Sequence, residues 1–246
     1  MDIEPHGFPM KVFEPGDEAH VDLNVVAPDA FAEAMGLGTS GAAEAIKSAL
    51  VDKRGGLPGL DKLAEVVAET EEDKNVTKFQ IARALRIVKL MQAKYGPKIG
   101  GRNQTLDLVS PWAGGIGKAA LVSLEGEDEG VAKLIANSVL STIYDFLSES
   151  RLRGVAVLLL FESPEQIVPA RAGRLSEEFL ELFAKYAATP AGIALQAKAD
   201  YELVPAALEG MTARIECIED EIVVKPAAER PFRARPRPPI SSFASE

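Results

Sequence analysis

The stretch "AALVSLEGEDEGVAKLIANSVLSTIYDFLSES", Ala119–Ser150, followed by "GVAVLLLFESPEQ", Gly154–Gln166, decides the fold. It reads as a short apolar strand, an acidic turn, a long amphipathic helix and a second apolar strand. Two strands joined through a helix run parallel in one sheet, because the crossover returns the chain to the same edge of the sheet. The pattern then repeats. "LSEEFLELFAKYAAT" (175–189) is helical, "GIALQAK" (192–198) is a strand and "VPAALEGM" (204–211) is a short helix. "ARIECIEDEIVV" (213–224) is a strand or hairpin, and "LDLVS" (106–110) is a further strand candidate. This alternation predicts an α/β fold with a largely parallel sheet. "VAVLLLF" (155–161) is the longest apolar run; it is too short to cross a bilayer and is expected as a buried strand.

Toward the N-terminus the character changes to helix after helix. After a strand candidate, "HVDLNVV" (20–26), Pro28 and Asp29 open a helix that Gly36 and Gly38 close. "SGAAEAIKSALVDKRGG" (40–56) is a second helix, ended by Gly55. "PGLDKLAEVVAETEEDK" (58–74) is a third, with Leu60, Leu63, Val66 and Val67 on one face. "VTKFQIARALRIVKLMQAKYGPK" (76–98) is a fourth, stopped by Gly96 and Pro97. Four helices without a strand predict a helical subdomain. The tail, "ERPFRARPRPPISSFASE" (229–246), is rich in proline and arginine and is expected to be extended and poorly packed.

The chain has 246 residues, 47% of them apolar, enough for a sizeable core. A net charge of −10 argues against a protein that coats nucleic acid globally. A single cysteine, Cys217, excludes an internal disulfide and fits a reducing compartment. It alternates with acids in "RIECIE", which predicts a core-facing strand residue of low reactivity. The opening "MDIEPHGFP" has no apolar core of a signal peptide, so the expectation is a cytoplasmic protein.

"AGGIGKAALVSL" (113–124) resembles a phosphate-binding loop but fails on spacing. With Gly117 and Lys118 as the Gly-Lys pair, Trp112 stands where the first glycine belongs, and Ala119 where a hydroxyl should meet Mg²⁺. A strand follows instead of a helix, so no helix N-terminus faces an anion. The expectation is a tight glycine turn entering a buried strand. Losing about four charge-assisted hydrogen bonds at about 1.5–3 kcal/mol each costs ~10⁴-fold or more in ATP affinity.

His6 and His20 are the only histidines; with Glu4, Asp17 and Glu18 nearby they match no standard metal spacing and read as turn residues. One charge feature stands apart. Between Lys74 and Leu106 there is no acidic residue, but eight basic ones: Lys74, Lys78, Arg83, Arg86, Lys89, Lys94, Lys98 and Arg102. Lys78, Arg83, Arg86, Lys89 and Lys94 fall on the fourth helix. Two readings stand: a solvated face paired with the acidic third helix, or a contact surface for DNA phosphates or an acidic partner. Phe79 and Tyr95 are too few aromatics for base stacking.

Residues 117–150 and 154–169 together resemble the strand, acidic turn, long helix and Walker B strand of HerA-type ATPases, relatives of the FtsK translocases. "LFAKYAATPAGIALQAKADYELVPAALEGMTARIEC" (182–217) is similar to the family's next helix, sensor strand and short helix. "DIEPHGFPM" (2–10) looks like its Asp-Pro-His-Gly-Glu-Tyr turn, and "RARPRPPISSF" (233–243) like its closing basic segment. The resemblance implies a RecA-like, mostly parallel sheet flanked by helices, formed by 1–26 and 104–226. It implies an inserted all-helical subdomain at 27–103 and an extended tail at 227–246, whose Arg233, Arg235 and Arg237 would reach a neighbouring subunit. Glu162, Ser163 and Glu165 fall at the Walker B end, with Glu162 in place of the magnesium-ordering Asp and Ser163 in place of the water-orienting Glu. Gln196 takes the sensor position, and Lys185 replaces a trans-acting arginine. The family's phosphate loop and first helix have no counterpart.

A degenerate, non-hydrolysing HerA-like module acting through protein or ring contacts is therefore expected, without nucleotide on the isolated chain. Two alternatives stay open: an ATPase or DNA translocase subunit whose phosphate loop, with ATP and Mg²⁺, is completed elsewhere, or a DNA-binding accessory protein. The expected partners are copies of the chain or other subunits, with DNA or a nuclease implied by the resemblance, and no membrane. A sheet without its central phosphate-loop strand must be repaired by direct pairing of its neighbours, by "HVDLNVV", or by another chain, since a buried unpaired backbone group costs about 1–3 kcal/mol.

Overall fold

The computed structural model describes residues 10–52, 56–71, 76–101, 103, 119–148, 157–167, 173–186, 189, 191–196, 213–218, 221–226 and 232–234. The chain divides into two compact units, one of residues 9–202 and one of residues 1–8 with 203–246.

In the larger unit, the four helices lie where the sequence predicts, but the first strand is Met10–Phe13, which the sequence pattern does not mark. Helix α1 (Pro28–Ala34) starts with proline in its first turn and ends before Gly36 and Gly38, both at positive φ (63° and 64°). Helix α2 (Gly41–Asp52) buries Ala42, Ala45, Ile46, Ala49 and Leu50. Helix α3 (Leu60–Ala68) buries Leu60, Leu63, Val66 and Val67, the face read from the spacing, but it stops before the acidic run. Helix α4 (Lys78–Tyr95) opens on a capping box: the Thr77 hydroxyl accepts from the Gln80 N–H, and the Gln80 side chain accepts from the Thr77 N–H at 2.8 Å. Its inner face, Ala84, Val88 and Met91, packs against α2 and α3.

Helices α5 (Glu129–Ser148) and α6 (Arg174–Tyr186) pack on α1 and on each other. Helix α5 begins with acids that suit the positive end of its dipole, and the Asp128 carboxylate accepts from the Gly130 N–H at 3.2 Å. Gly130 is required there: a Cβ would lie 2.0 Å from the Ala34 carbonyl oxygen at the end of α1. Twelve residues of α5 are buried, too many for a helix with only one covered stripe. One continuous apolar core joins α1–α6, so the helices α1–α4 share it with α5 and α6.

The strands are short and parallel in pairs. Strand β1 (Met10–Phe13) runs beside β2 (Ala119–Val122), in register from Met10 opposite Ala119 to Phe13 opposite Val122. Strand β3 (Leu158–Glu162) runs beside β4 (Gly192–Gln196), from Leu158 opposite Gly192 to Glu162 opposite Gln196. The chain is thus mixed helix and strand with parallel pairing, as expected; among the described residues the strands form two separate pairs rather than one large parallel sheet.

Three strand expectations are corrected. "HVDLNVV" is not a strand: only Val21 makes a bridge, to Ile99. The Asp22 carboxylate accepts from the backbone and side-chain N–H groups of Asn24 at 2.9 and 2.8 Å, which turns the chain, while Val21, Leu23 and Val26 still point into the core. "HVDLNVV" therefore does not repair a sheet. "VAVLLLF" is not buried on both sides. Leu159 is buried and Phe161, on the same face, meets Phe183 of α6 edge-on at 5.4 Å, whereas Leu158 and Leu160 on the opposite face are 69% and 60% exposed. Strand β2 is half-covered in the same way, with Leu121 exposed. An apolar run records what a strand is made of, not which of its faces a helix reaches.

In the smaller unit, β5 (Ala213–Ile218) and β6 (Glu221–Pro226) form the antiparallel hairpin that the sequence allowed, with Cys217 opposite Ile222. Within the tail read as extended and poorly packed, Phe232–Ala234 forms β7, a third strand on β6. The stretches 106–110 and 204–211 lie outside the described residues.

Candidate functional site

Parallel strands end at one edge of their sheet, and in α/β folds this carboxyl edge is where ligands gather. Strands β3 and β4 bring Glu162 and Gln196 side by side there. The chain then makes an abrupt turn. Ser163 has φ 52° and ψ 54°, the only non-glycine residue at positive φ among the described residues. A non-glycine residue held in the left-handed region costs on the order of 1–2 kcal/mol. One 3₁₀ turn, Pro164–Gln166, closes the corner, with the Gln166 N–H donating to the Ser163 carbonyl at 3.0 Å.

The turn separates the two carboxylates read from the sequence. Glu162 is exposed, while both carboxylate oxygens of Glu165 are buried with no hydrogen-bond partner among the described residues. Such a group gives up its hydration without compensation. Among the described residues no base is hydrogen-bonded to the Ser163 hydroxyl, and His20 is committed elsewhere, its Nε2 2.9 Å from the Asp17 carbonyl and its Nδ1 3.1 Å from the Pro97 carbonyl. His20 is thus a turn residue, further fixed by Asn103, whose side chain accepts from the His20 N–H and donates to its carbonyl, both at 2.8 Å. Among the described residues, no three His, Cys, Asp or Glu side chains converge where a metal ion could sit.

Strand β2 begins at Ala119, so a strand follows the Gly117-Lys118 pair. Residues 113–118 themselves, His6, Arg235 and Arg237 lie outside the described residues. Arg233 is in β7, opposite Val223 of β6. Lys185 is exposed near the end of α6.

The second candidate is the outer face of α4. Lys94 at its end is committed: it donates to the Tyr95 hydroxyl and lies 3.6 Å from Asp128, to which Tyr95 also donates at 3.1 Å. Burial pushes Asp128 upward, but the hydrogen bonds from Tyr95 and Gly130 and the charge of Lys94 hold it below the usual carboxylate value. Lys98, just beyond α4, pairs with Glu127 at 2.6 Å. The acids that meet this end of α4 thus precede α5. Lys78 is exposed and has an interaction partner. Arg83, Arg86 and Lys89 are exposed and make no ion pair with any described residue. Beside them lie Phe79, 77% exposed, and Leu90, 62% exposed. An open groove lined by Ala82, Leu85, Arg86, Lys89 and Leu90 runs along this face. The sequence marked the cations; the exposed Phe79 and Leu90 among them were not foreseen, and their 11-residue separation, close to three helical turns, was the available signal.

No family model and no curated protein matches the chain. No helix among the described residues is long and apolar enough to cross a membrane.

Proposed function

We propose that the chain is a non-hydrolysing relative of the HerA-type ATPases that works by contact with other macromolecules, in an oligomer or a complex serving DNA processing. The observation that carries this reading is the corner at Ser163. In a RecA-like sheet, strands β3 and β4 would be the Walker B and sensor strands, and their register sets Glu162 level with Gln196. The residue after Glu162, where a water-orienting carboxylate would act, is a serine with no activating base hydrogen-bonded to it among the described residues. A strand after Gly117-Lys118 also supports the reading, because it offers no helix N-terminus to a phosphate. The exposed Arg83, Arg86 and Lys89 of α4, which pair with no described acid, supply a contact surface.

Phosphate release from ATP and Mg²⁺ by the purified chain tests the proposal, together with equilibrium binding of a fluorescent ATP analogue. Neither turnover nor binding is expected. Turnover that disappears in Glu162→Gln would overturn it. A second reading rests on Glu162 standing opposite Gln196: a subunit that completes a nucleotide site with another chain. Nucleotide binding that appears only when a partner subunit is added supports that reading over the first.

A further inference from the structure

We propose that the outer face of α4 is a docking seam for an acidic amphipathic helix of a partner protein. This names the partner class for the contact role above, and it rests on a different set of residues from the strand-end corner.

The seam follows from helix geometry. Phe79, Arg83, Arg86, Leu90 and Ala93 are spaced 4, 3, 4 and 3 residues apart. That alternation averages 3.5, the repeat that keeps two helices in contact along their length. At 3.6 residues per turn, Phe79, Arg83, Arg86 and Leu90 fall within an arc of about 60° and extend about 16 Å along the axis. This arc is opposite the face that carries Ala84, Val88 and Met91 into the core. One helix therefore carries a buried apolar stripe and an outer stripe that mixes two large apolar residues with two arginines. The outer one has large apolar side chains in its middle and cations beside them, with Ala82 and Leu85 forming the side of the groove.

Charge selects the occupant. Helix α4 contains no acidic residue in a chain of net charge −10, so a second copy laid along the same seam would set Arg83 and Arg86 against like charges. Duplex DNA needs cations but not Phe79 and Leu90, and the negative chain repels a long polyanion more than a short acidic helix. A membrane surface needs a broad apolar face, and Ala82 and Ala93 leave this one narrow. A helix with leucine-like residues at 3–4 spacing, flanked by Glu or Asp, satisfies both halves of the seam.

The test is to select binders to the full chain from a displayed library of randomised helical peptides. The strongest is then measured by fluorescence anisotropy at 150 mM salt, beside a 20-base-pair DNA duplex and phosphatidylserine vesicles. Enriched peptides are expected to be acidic and amphipathic. They should weaken at least tenfold on Arg83→Glu/Arg86→Glu and on Phe79→Ser/Leu90→Ser, and be unchanged on Lys62→Glu, a surface charge of α3. Replacing the peptide's acids by lysine should restore binding to the Arg83→Glu/Arg86→Glu variant. Circular dichroism and urea midpoints confirm that each variant folds. The proposal is overturned if no peptide is enriched, if enriched peptides lack the acidic amphipathic pattern, if charge reversal leaves binding intact, or if the duplex or the vesicles bind these residues more tightly than the best peptide. None of these readouts involves nucleotide, so they can fail while the non-hydrolysing role stands, and the reverse.

Discussion

The Tyr186 hydroxyl donates a hydrogen bond to the Leu140 carbonyl at 2.5 Å, joining the last residue of α6 to the middle of α5 inside the core. Tyr186 is fully buried, and its ring meets Tyr144 edge-on at 5.6 Å. Burial pushes its phenol well above the ordinary value, so it stays a neutral donor. Tyr186→Phe keeps the ring and loses the bond, and should cost about 0.5–1.5 kcal/mol. Tyr186→Ala should cost about 3–5 kcal/mol, since it empties a large core site. Urea unfolding monitored by circular dichroism separates the two.

The start of α6 is capped from a distance. The Glu33 carboxylate accepts from the Arg174 and Leu175 N–H groups at 2.6 and 3.3 Å. Gly173 leaves room for it, because a Cβ there would lie 2.3 Å from Glu33 Oε1. Glu33→Ala should destabilise by about 1 kcal/mol, as for loss of a helix cap. Gly173→Ala should displace the same carboxylate, so combining the two substitutions should add little to either alone. A double-mutant cycle on thermal midpoints reads that coupling.

Glu178 sets a pH dependence. Burial raises its carboxyl, and Glu181, Asp29 and Glu33 add to the effect against the opposing charge of Arg174, bringing it to about 7 from 4.5. Below pH 4.5 the group is protonated in both states and contributes nothing. Between pH 4.5 and 7 the unfolded chain releases this proton while the folded chain keeps it, so stability falls as pH rises and levels off above 7. Solvent reaches part of this side chain, so the loss should be about 1–2 kcal/mol rather than the full linkage value. Glu178→Gln should match the wild type at pH 4.5 and be the more stable at pH 8; equal stability at pH 8 would refute the assignment.

The two faces of β3 should respond differently. Leu159→Ala removes a buried core side chain and should cost about 2–5 kcal/mol. Leu158→Thr and Leu160→Thr together should change stability by only about 0.5 kcal/mol, as exposed substitutions do, and should raise the solubility limit in ammonium sulfate.

Glu165 predicts the opposite sign from most buried substitutions. Glu165→Met should stabilise the chain by about 1–3 kcal/mol, because it removes a desolvated group that has no partner. Glu165→Gln, still polar, should gain less. Guanidinium unfolding midpoints decide between them.

The sequence by itself determined the helices and that strands joined through them run parallel, as β3 and β4 do, but not strand β1 or its pairing with β2. Apolar residues at 3.6 spacing mark a buried stripe wherever it is finally packed, so Leu60, Leu63, Val66 and Val67 could be read directly. Glycine and proline punctuation placed the limits of α1 and α4 for equally local reasons. It also marked the cations of α4, since charge segregation is a property of composition. Only the tertiary structure decided which faces are covered. The alternation in β3 is the same whether Leu158 meets a helix or water, and Val21 and Leu23 have the composition of a strand while lying in a turn held by Asp22. Partners of cations are likewise decided at long range: Lys94 and Lys98 meet Asp128 and Glu127 across some thirty residues. Arg83, Arg86 and Lys89, equally basic, meet no acid among the described residues, and local sequence holds no information about that distance.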